Sequence, residues 1–304
     1  KGGSTGLKGA EITVKDLIKV YRLGKVEVQA LRGLSMSVKE GEVVSIIGPS
    51  GSGKTTLLNI VGGLDAATAG AVKVGNLEVT ALSTALLIDY RRKTVGHIFQ
   101  TLNLIPTLTA AENIELPMIA MNMSRSKRIE RVKTLLEVVG LTARASHKPD
   151  ELSGGEQQRI AMASALANDA PVILADEPTG ELDTANAQIV VEYLVKISRE
   201  LGKTIVMVTH DPNVARHADR ILRIEDGTIK TALTPAQILE PVAAVSYVDQ
   251  LRARLADIDA QLEKLDKDFK AGKISGDEYA EQRQRLKQTR AGLQDELHRM
   301  GVVM

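Results

Sequence analysis

Gly48-Pro49-Ser50-Gly51-Ser52-Gly53-Lys54-Thr55 follows directly on the apolar run Val43 to Ile47 and precedes a helix-compatible run, Thr56 to Gly62. It spells GxxxxGK[ST] between a strand and a helix, the context in which that pattern forms a phosphate-binding loop. Glycine lets the backbone curl until several N–H groups converge on phosphate oxygens, a geometry that residues with a Cβ adopt only at a cost. The helix that follows adds the positive end of its dipole. Lys54 supplies a point charge for the outer phosphates, and the Thr55 hydroxyl a ligand for magnesium. A plain Gly-rich turn is the competing reading, and the Lys-Thr pair with these flanks weighs against it.

Upstream, Glu11 to Val20 and Leu34 to Val38 alternate apolar and polar residues, which predicts two half-buried antiparallel strands. Tyr21 falls between them, before a turn at Gly24; it either stacks on an adenine ring or packs at a strand end. Downstream, Gly70 to Leu77 reads as a short strand, and Val95 to Phe99 as an apolar strand ending at Gln100. The carboxyl ends of parallel strands are where open α/β sheets bind ligands, so Gln100 either reaches a magnesium ion or an attacking water, or is a polar strand end. From Thr101 to Asp150 the pattern turns helical. Thr109 and Glu112 form a capping box, Pro117 is expected to break or kink the helix it opens, and Ser126 to Val139 makes a second helix stopped by Gly140.

Ser153 and Glu156 form another capping box, for a helix over Gln157 to Asn168. A cap has no need of the paired Gly154 and Gly155, whereas close approach of backbone to a phosphate does. Pro171 to Ala175 is a continuous apolar run, the mark of a parallel strand buried on both faces, and it ends in Asp176-Glu177. One carboxylate in that place is a magnesium partner; the second can accept a proton from, or orient, the water that attacks a γ-phosphate. Thr204 to Val208 repeats the buried-strand pattern and ends near His210, again on the ligand side of the sheet, although a lone histidine is most often structural. Ile221 to Ile224 and Gly227 to Lys230 read as a closing hairpin.

The 304 residues carry 39 Lys and Arg against 38 Asp and Glu, a net charge of +1 that makes no electrostatic case for nucleic-acid binding. The absence of cysteine excludes a disulfide framework and a thiol metal site, and is compatible with a reducing cytosol. At 2% aromatic residues the core has to be aliphatic. No run has the length of a membrane-spanning helix, so work at a membrane would go through a partner. Lys1 to Gly9 reads as an expression remnant or a flexible lead-in outside the fold.

Gly48 to Thr55, Gln100, Leu152 to Gln157, Val172 to Glu177, Glu181 to Asp183 and His210 stand in the order and spacing of the ATP-binding-cassette ATPases, and the chain resembles that family over residues 10–231. Asn103 to Asn113 and Gly62 to Asp65 look like its lipoprotein-releasing and macrolide-exporting subgroup. The resemblance implies an α/β fold: a RecA-like phosphate-loop core, an antiparallel β subdomain, and a helical subdomain inserted over about 101–158. It implies a head-to-tail homodimer at the cytoplasmic face of the membrane. ATP and Mg2+ would be held by Tyr21, Gly48, Ser50, Gly51, Ser52, Gly53, Lys54, Thr55 and Thr56 of one copy, with Gln100 and Asp176 also on the metal. Ser153, Gly154, Gly155 and Glu156 of the other copy would close the site. Glu177 would be the general base or water-orienting carboxylate, His210 would contact the γ-phosphate and the water, and Asp183 would couple the two sites. Gln100 and the helical subdomain would pass the nucleotide state to an integral membrane permease, for export or lipoprotein release.

Two features depart from the family pattern. Glu181 adds a charge at the dimer seam, expected to weaken closure. Beyond a 232–245 linker, Val248, Leu251, Leu255, Ile258, Leu262, Leu265 and Phe269 form a heptad seam, followed by a turn, a Ser275/Glu278 capping box, and a thinner stripe through Tyr279, Leu286, Leu293 and Leu297. These predict an antiparallel helical hairpin over 246–300, either self-packed or serving oligomerisation or partner docking. An ATP-switched protein of translation or DNA maintenance is the competing functional class.

Overall fold

The structure, a computed structural model, describes residues 8–234 except Lys25 and Glu181, then 247–270 and scattered positions between Gly276 and Gln294. The expected Glu181 effect, the linker from Pro235, the Ser275/Glu278 box, Leu293 and Leu297 lie outside the described residues.

The chain opens with β1 (Ile12–Leu23) and β2 (Val26–Val38), crosses to β3 (Val43–Ile47), enters α1 (Lys54–Val61) through the glycine loop, and returns through β4 (Ala69–Val74) and β5 (Leu77–Glu78). Then come α2 (Thr84–Lys93), β6 (Val95–Ile98), α3 (Ala110–Ala120), α4 (Arg125–Val138) and α5 (Gly154–Ala165). β7 (Val172–Asp176), α6 (Thr184–Leu201), β8 (Thr204–Val208), the short α7 (Pro212–Ala215), β9 (Arg220–Glu225) and β10 (Thr228–Leu233) complete the unit. The strands form two sheets: one of order β2-β1-β4-β5, antiparallel, and a central one of order β10-β9-β3-β8-β7-β6, parallel except where β10 pairs with β9.

Burial on both faces explains the unbroken apolar runs of the central strands. Ile173, Ala175, Ile205 and Met207 face one core with residues of α3 to α6, while Val172, Leu174, Val206 and Val208 face another with α1 and the antiparallel sheet. The carboxyl ends of β3, β6, β7 and β8 therefore open at one edge of a clamped sheet.

Several expectations change. Tyr21 lies inside β1 rather than after it, because the β1–β2 pairing continues to Leu23 and Val26. The Gly70 to Leu77 strand is two strands, divided by a turn at Gly75. Gly9 is no lead-in: its N–H bonds the Gly202 carbonyl at 2.7 Å, and a Cβ there would lie 2.5 Å from Thr204 Oγ1. α3 runs through Pro117, and the Asn113 carbonyl that the proline leaves without its N–H partner accepts from Ser164 Oγ at 3.2 Å. Gly140, at φ 68°, closes α4 with the expected stop, its N–H on Glu137 O and that of Leu141 on Leu136 O. The buried Lys203 and the partly exposed Arg131 of α4 both pair with Asp169, in the loop after α5.

His97 on β6 is half-buried against Gly62, whose missing Cβ leaves room for the imidazole, and stacks on Phe99 at 5.3 Å. Burial, reinforced by the charge of Arg91 and only partly opposed by the Gly62 carbonyl, lowers its pKa from 6.5 to about 4. The folded chain then binds this proton less readily than the unfolded chain. Stability is full above about pH 6.5 and falls as the pH drops toward 4, by on the order of 3 kcal/mol in all. His97→Phe should flatten the fall in melting temperature between about pH 7 and pH 5; an unchanged slope would rule His97 out as the source.

Residues 239–304 form a second unit, containing α8 (Tyr247–Lys270). Ile258 and Leu265 of the seam are buried, and Phe269 stacks on Tyr279 at 4.2 Å. Asp266 accepts from Tyr279 Oη at 2.7 Å and Arg283 Nε at 3.2 Å, and Asp259, one heptad earlier, accepts from Arg290 Nε at 2.6 Å, one heptad later. Pairing in that opposed order is what antiparallel helices produce.

Candidate active site

The loop after β3 is shaped by what surrounds its glycines. A Cβ on Gly48 would collide with the Ile224 carbonyl, and one on Gly53, at φ 100°, would sit 2.5 Å from the Ala30 carbonyl of β2. Gly53 is the N-cap of α1, whose first turn carries no acidic residue, and it lines an open cavity at the positive end of the helix dipole. That cavity, of about 360 Å³, is lined by Ser50, Gly51, Gly53, Lys54, Thr55 and Thr56 of the loop, with Ala30 beside them. Gln100 after β6, Glu177 after β7 and His210 after β8 complete it. Four strand ends therefore bring together residues up to 160 positions apart.

Lys54 is buried and donates to the carbonyls of Gly48 and Pro49 at 2.9 and 2.8 Å. Thr55 Oγ1 donates to Asp176 Oδ1 at 3.2 Å. Burial raises the Asp176 carboxyl above its ordinary range, Glu177 adds to that, and the Thr55 hydrogen bond and Lys54 oppose it. A hydroxyl, a carboxylate and the Gln100 amide are hard oxygen donors, the kind magnesium takes. Glu177, at φ 47°, is held by its N–H on the Val208 carbonyl at 2.9 Å, and its Oε2 lies 2.8 Å from His210 Nδ1. A carboxylate oxygen accepts, so this contact is a hydrogen bond in the tautomer or charge state that carries a hydrogen on Nδ1.

Tyr21, inside β1, also makes side-chain contacts next to the loop. Its hydroxyl donates to Asp65 Oδ2 at 2.7 Å and lies 3.5 Å from Thr56 Oγ1, beside the cavity. Lys19 Nζ sits 4.7 Å from the ring centroid and bonds Asp65 Oδ1 at 2.6 Å. Lys19, Asp65 and Ala30 were not found from sequence as parts of this site, since Asp65 is 46 residues from Lys19 and 44 from Tyr21, and Ala30 is 23 from Gly53.

Ser153, Gly154, Gly155 and Glu156 stand apart from the cavity, whose lining contains none of them. The capping box is complete: Ser153 Oγ accepts from the Glu156 N–H at 3.3 Å, and Glu156 Oε2 accepts from the Ser153 N–H at 2.9 Å. Gly155 has a packing reason within the chain, because a Cβ would lie 2.7 Å from Asn186 Oδ1 and force that side chain to shift. Gly154 has none: its Cβ would meet only Leu182 Cδ2, at an ordinary 3.6 Å. Asp183 accepts from the Asn186 N–H at 3.1 Å and Nδ2 at 2.6 Å, so the start of α6 and that of α5 meet at Asn186.

Comparison with known proteins places this geometry. The ABC transporter family model matches residues 31–180. An ABC transporter ATP-binding protein of Methanocaldococcus jannaschii, MJ0796, is 48% identical over 72% of the chain and 95% of its own length. The macrolide export ATP-binding/permease protein MacB of Mannheimia succiniciproducens is 46% identical over 72% of the chain, which spans 34% of MacB. Among solved structures, the dimeric post-hydrolysis state of the MJ0796 cassette with ADP and Pi superposes with a TM-score of 0.69 at 45% identity, covering 74% of this chain and 98% of that one. The chain therefore belongs to the ABC transporter ATPase family.

Proposed function

We propose that this chain is the ATP-hydrolysing motor of a membrane transporter, a head-to-tail homodimer that drives a permease from the cytoplasmic face. The observation that carries the reading is the division of the site: Lys54, Thr55, Gln100, Glu177 and His210 line one cavity, with Asp176 bonded to Thr55, while Ser153 to Glu156 are not part of its lining. A second copy would supply them. Its Gly154, with no packing reason of its own to be glycine, is where a phosphate can approach the backbone. The dimeric cassette structure and the permease fused in MacB support the same arrangement. Among the described residues no helix is long and apolar enough to cross a membrane.

In this mechanism Lys54 leaves its two carbonyls for the phosphates of ATP, and Tyr21 lies against the adenine. Thr55, Asp176 and Gln100 would hold magnesium, which neutralises phosphate charge. Glu177 takes a proton from the attacking water or orients it, His210 fixes the Glu177 carboxylate, and closure of the second copy excludes bulk water. Asp183, bonded to Asn186 against Gly155, links the two sites. Residues 10–231 carry this work, 232–245 is a linker, and the hairpin over 246–300 is assigned to oligomerisation or partner docking. Export or lipoprotein release is the transport class.

Purification of the full chain from detergent-solubilised membranes tests the assignment. A polytopic membrane protein should copurify and stimulate ATP hydrolysis in proteoliposomes. Recovery of ribosomes or DNA in its place would move the chain to the soluble, ATP-switched class.

A further inference from the structure

Glu156 places a carboxylate in the first turn of α5, where the helix dipole favours an incoming anion. Its Oε2 accepts from both the N–H and the hydroxyl of Ser153, each at 2.9 Å. Its Oε1 accepts from Arg144 Nε at 3.1 Å, and Arg144 Nη1 lies 3.3 Å from His147 Nε2. The hydrogen bonds from Ser153, with help from Arg144, hold the Glu156 carboxyl below the usual range, so it is charged at neutral pH. As a folding device the ion pair contributes little, since the Arg144 side chain is 48% exposed. Its charge matters more: an acid in this turn repels a polyphosphate unless a cation offsets it, and the effect grows as an interface closes and sheds water.

We propose that Arg144 is a positioning residue for nucleotide-driven dimerisation. It neutralises Glu156 and keeps that carboxylate on Ser153, so that the start of α5 attracts the phosphates of an ATP held by a second copy. The proposal rests on the reading of Ser153 to Glu156 as the second half of the site. Glutamine at 156 would keep the capping box without the charge. The arginine is thus required because this chain carries the acid.

The test uses the full chain bearing Glu177→Gln to block turnover, with the ATP concentration for half-maximal dimerisation read by size exclusion with light scattering. Arg144→Ala should raise that concentration by about tenfold, and Arg144→Lys by less. Adding Glu156→Gln to Arg144→Ala should bring it back to within about threefold of the parent. The Arg144→Ala defect should also shrink between about 0.05 and 0.5 M salt. Circular dichroism identical to the parent excludes misfolding. Dimerisation of Arg144→Ala at the parent's ATP concentration overturns the proposal, and so does a defect that Glu156→Gln does not relieve, which would mark a packing role. If the Glu177→Gln parent binds ATP yet stays monomeric, the head-to-tail reading fails and takes the proposal with it, an outcome distinct from failure of the Arg144 variants alone.

Discussion

Glu177→Gln should lower steady-state ATP hydrolysis by about 10²- to 10³-fold while leaving ATP binding intact. The substitution is nearly isosteric, and a glutamine oxygen can still accept from His210 Nδ1, which now bonds Glu177 Oε2 at 2.8 Å. The backbone bond from the residue 177 N–H to Val208 is untouched. What is lost is a carboxylate able to take a proton or draw the water into line. With the cradle and the start of α5 unaltered, ATP should bind, close the dimer and stay. Phosphate release and ATP-dependent dimerisation, measured together, check this: low turnover with a stable ATP dimer is the expected pair. Turnover within about threefold of the parent would mean another group handles the water.

The parts of this site that were legible in the sequence are those written in short-range patterns. β3, β7 and β8 read as apolar runs because both faces of the central sheet are covered, and the polar residues that end them, Asp176, Glu177 and His210, stood out against those runs. The capping boxes at Thr109 and Ser153 were legible because a cap is closed within three residues. α2 was missed for the converse reason: among its residues only Tyr90 is buried, so it carries no apolar stripe to give a helical period. The setting of Tyr21 depends on Asp65, 44 residues on, and that of Glu156 on Arg144, 12 residues back across a turn. No local periodicity records such pairings; they are set by the paths of the strands and turns between.

Gly53 shows the same limit inside the motif that read most clearly, and it carries the second large effect. The pattern required a glycine there, but the local reason, freedom of the loop backbone, accounts for only part of the requirement. The rest is β2: the Ala30 carbonyl lies 2.5 Å from where a Cβ would be, with Leu31 Cδ2 at 2.8 Å behind it, and the same carbonyl lies 2.6 Å from the Cβ position of Gly227. The Ala30 carbonyl thus packs against two glycines, Gly53 and Gly227, too closely for a Cβ on either. Gly53→Ala should therefore displace the loop rather than the strand, moving the N-cap of α1, which lines the cavity. ATP affinity should fall by at least about 100-fold, with about 1–3 kcal/mol of stability lost to the unfavourable φ of 100°. Gly75→Ala is the comparison, since φ is also positive at 55° but a Cβ there meets only Ala10, at 3.7 Å. It should cost stability without altering ATP binding. Fluorescent-nucleotide titration beside thermal melts separates the two effects, and parent-like ATP binding by Gly53→Ala would show that the loop tolerates the contact and that β2 does not set its shape.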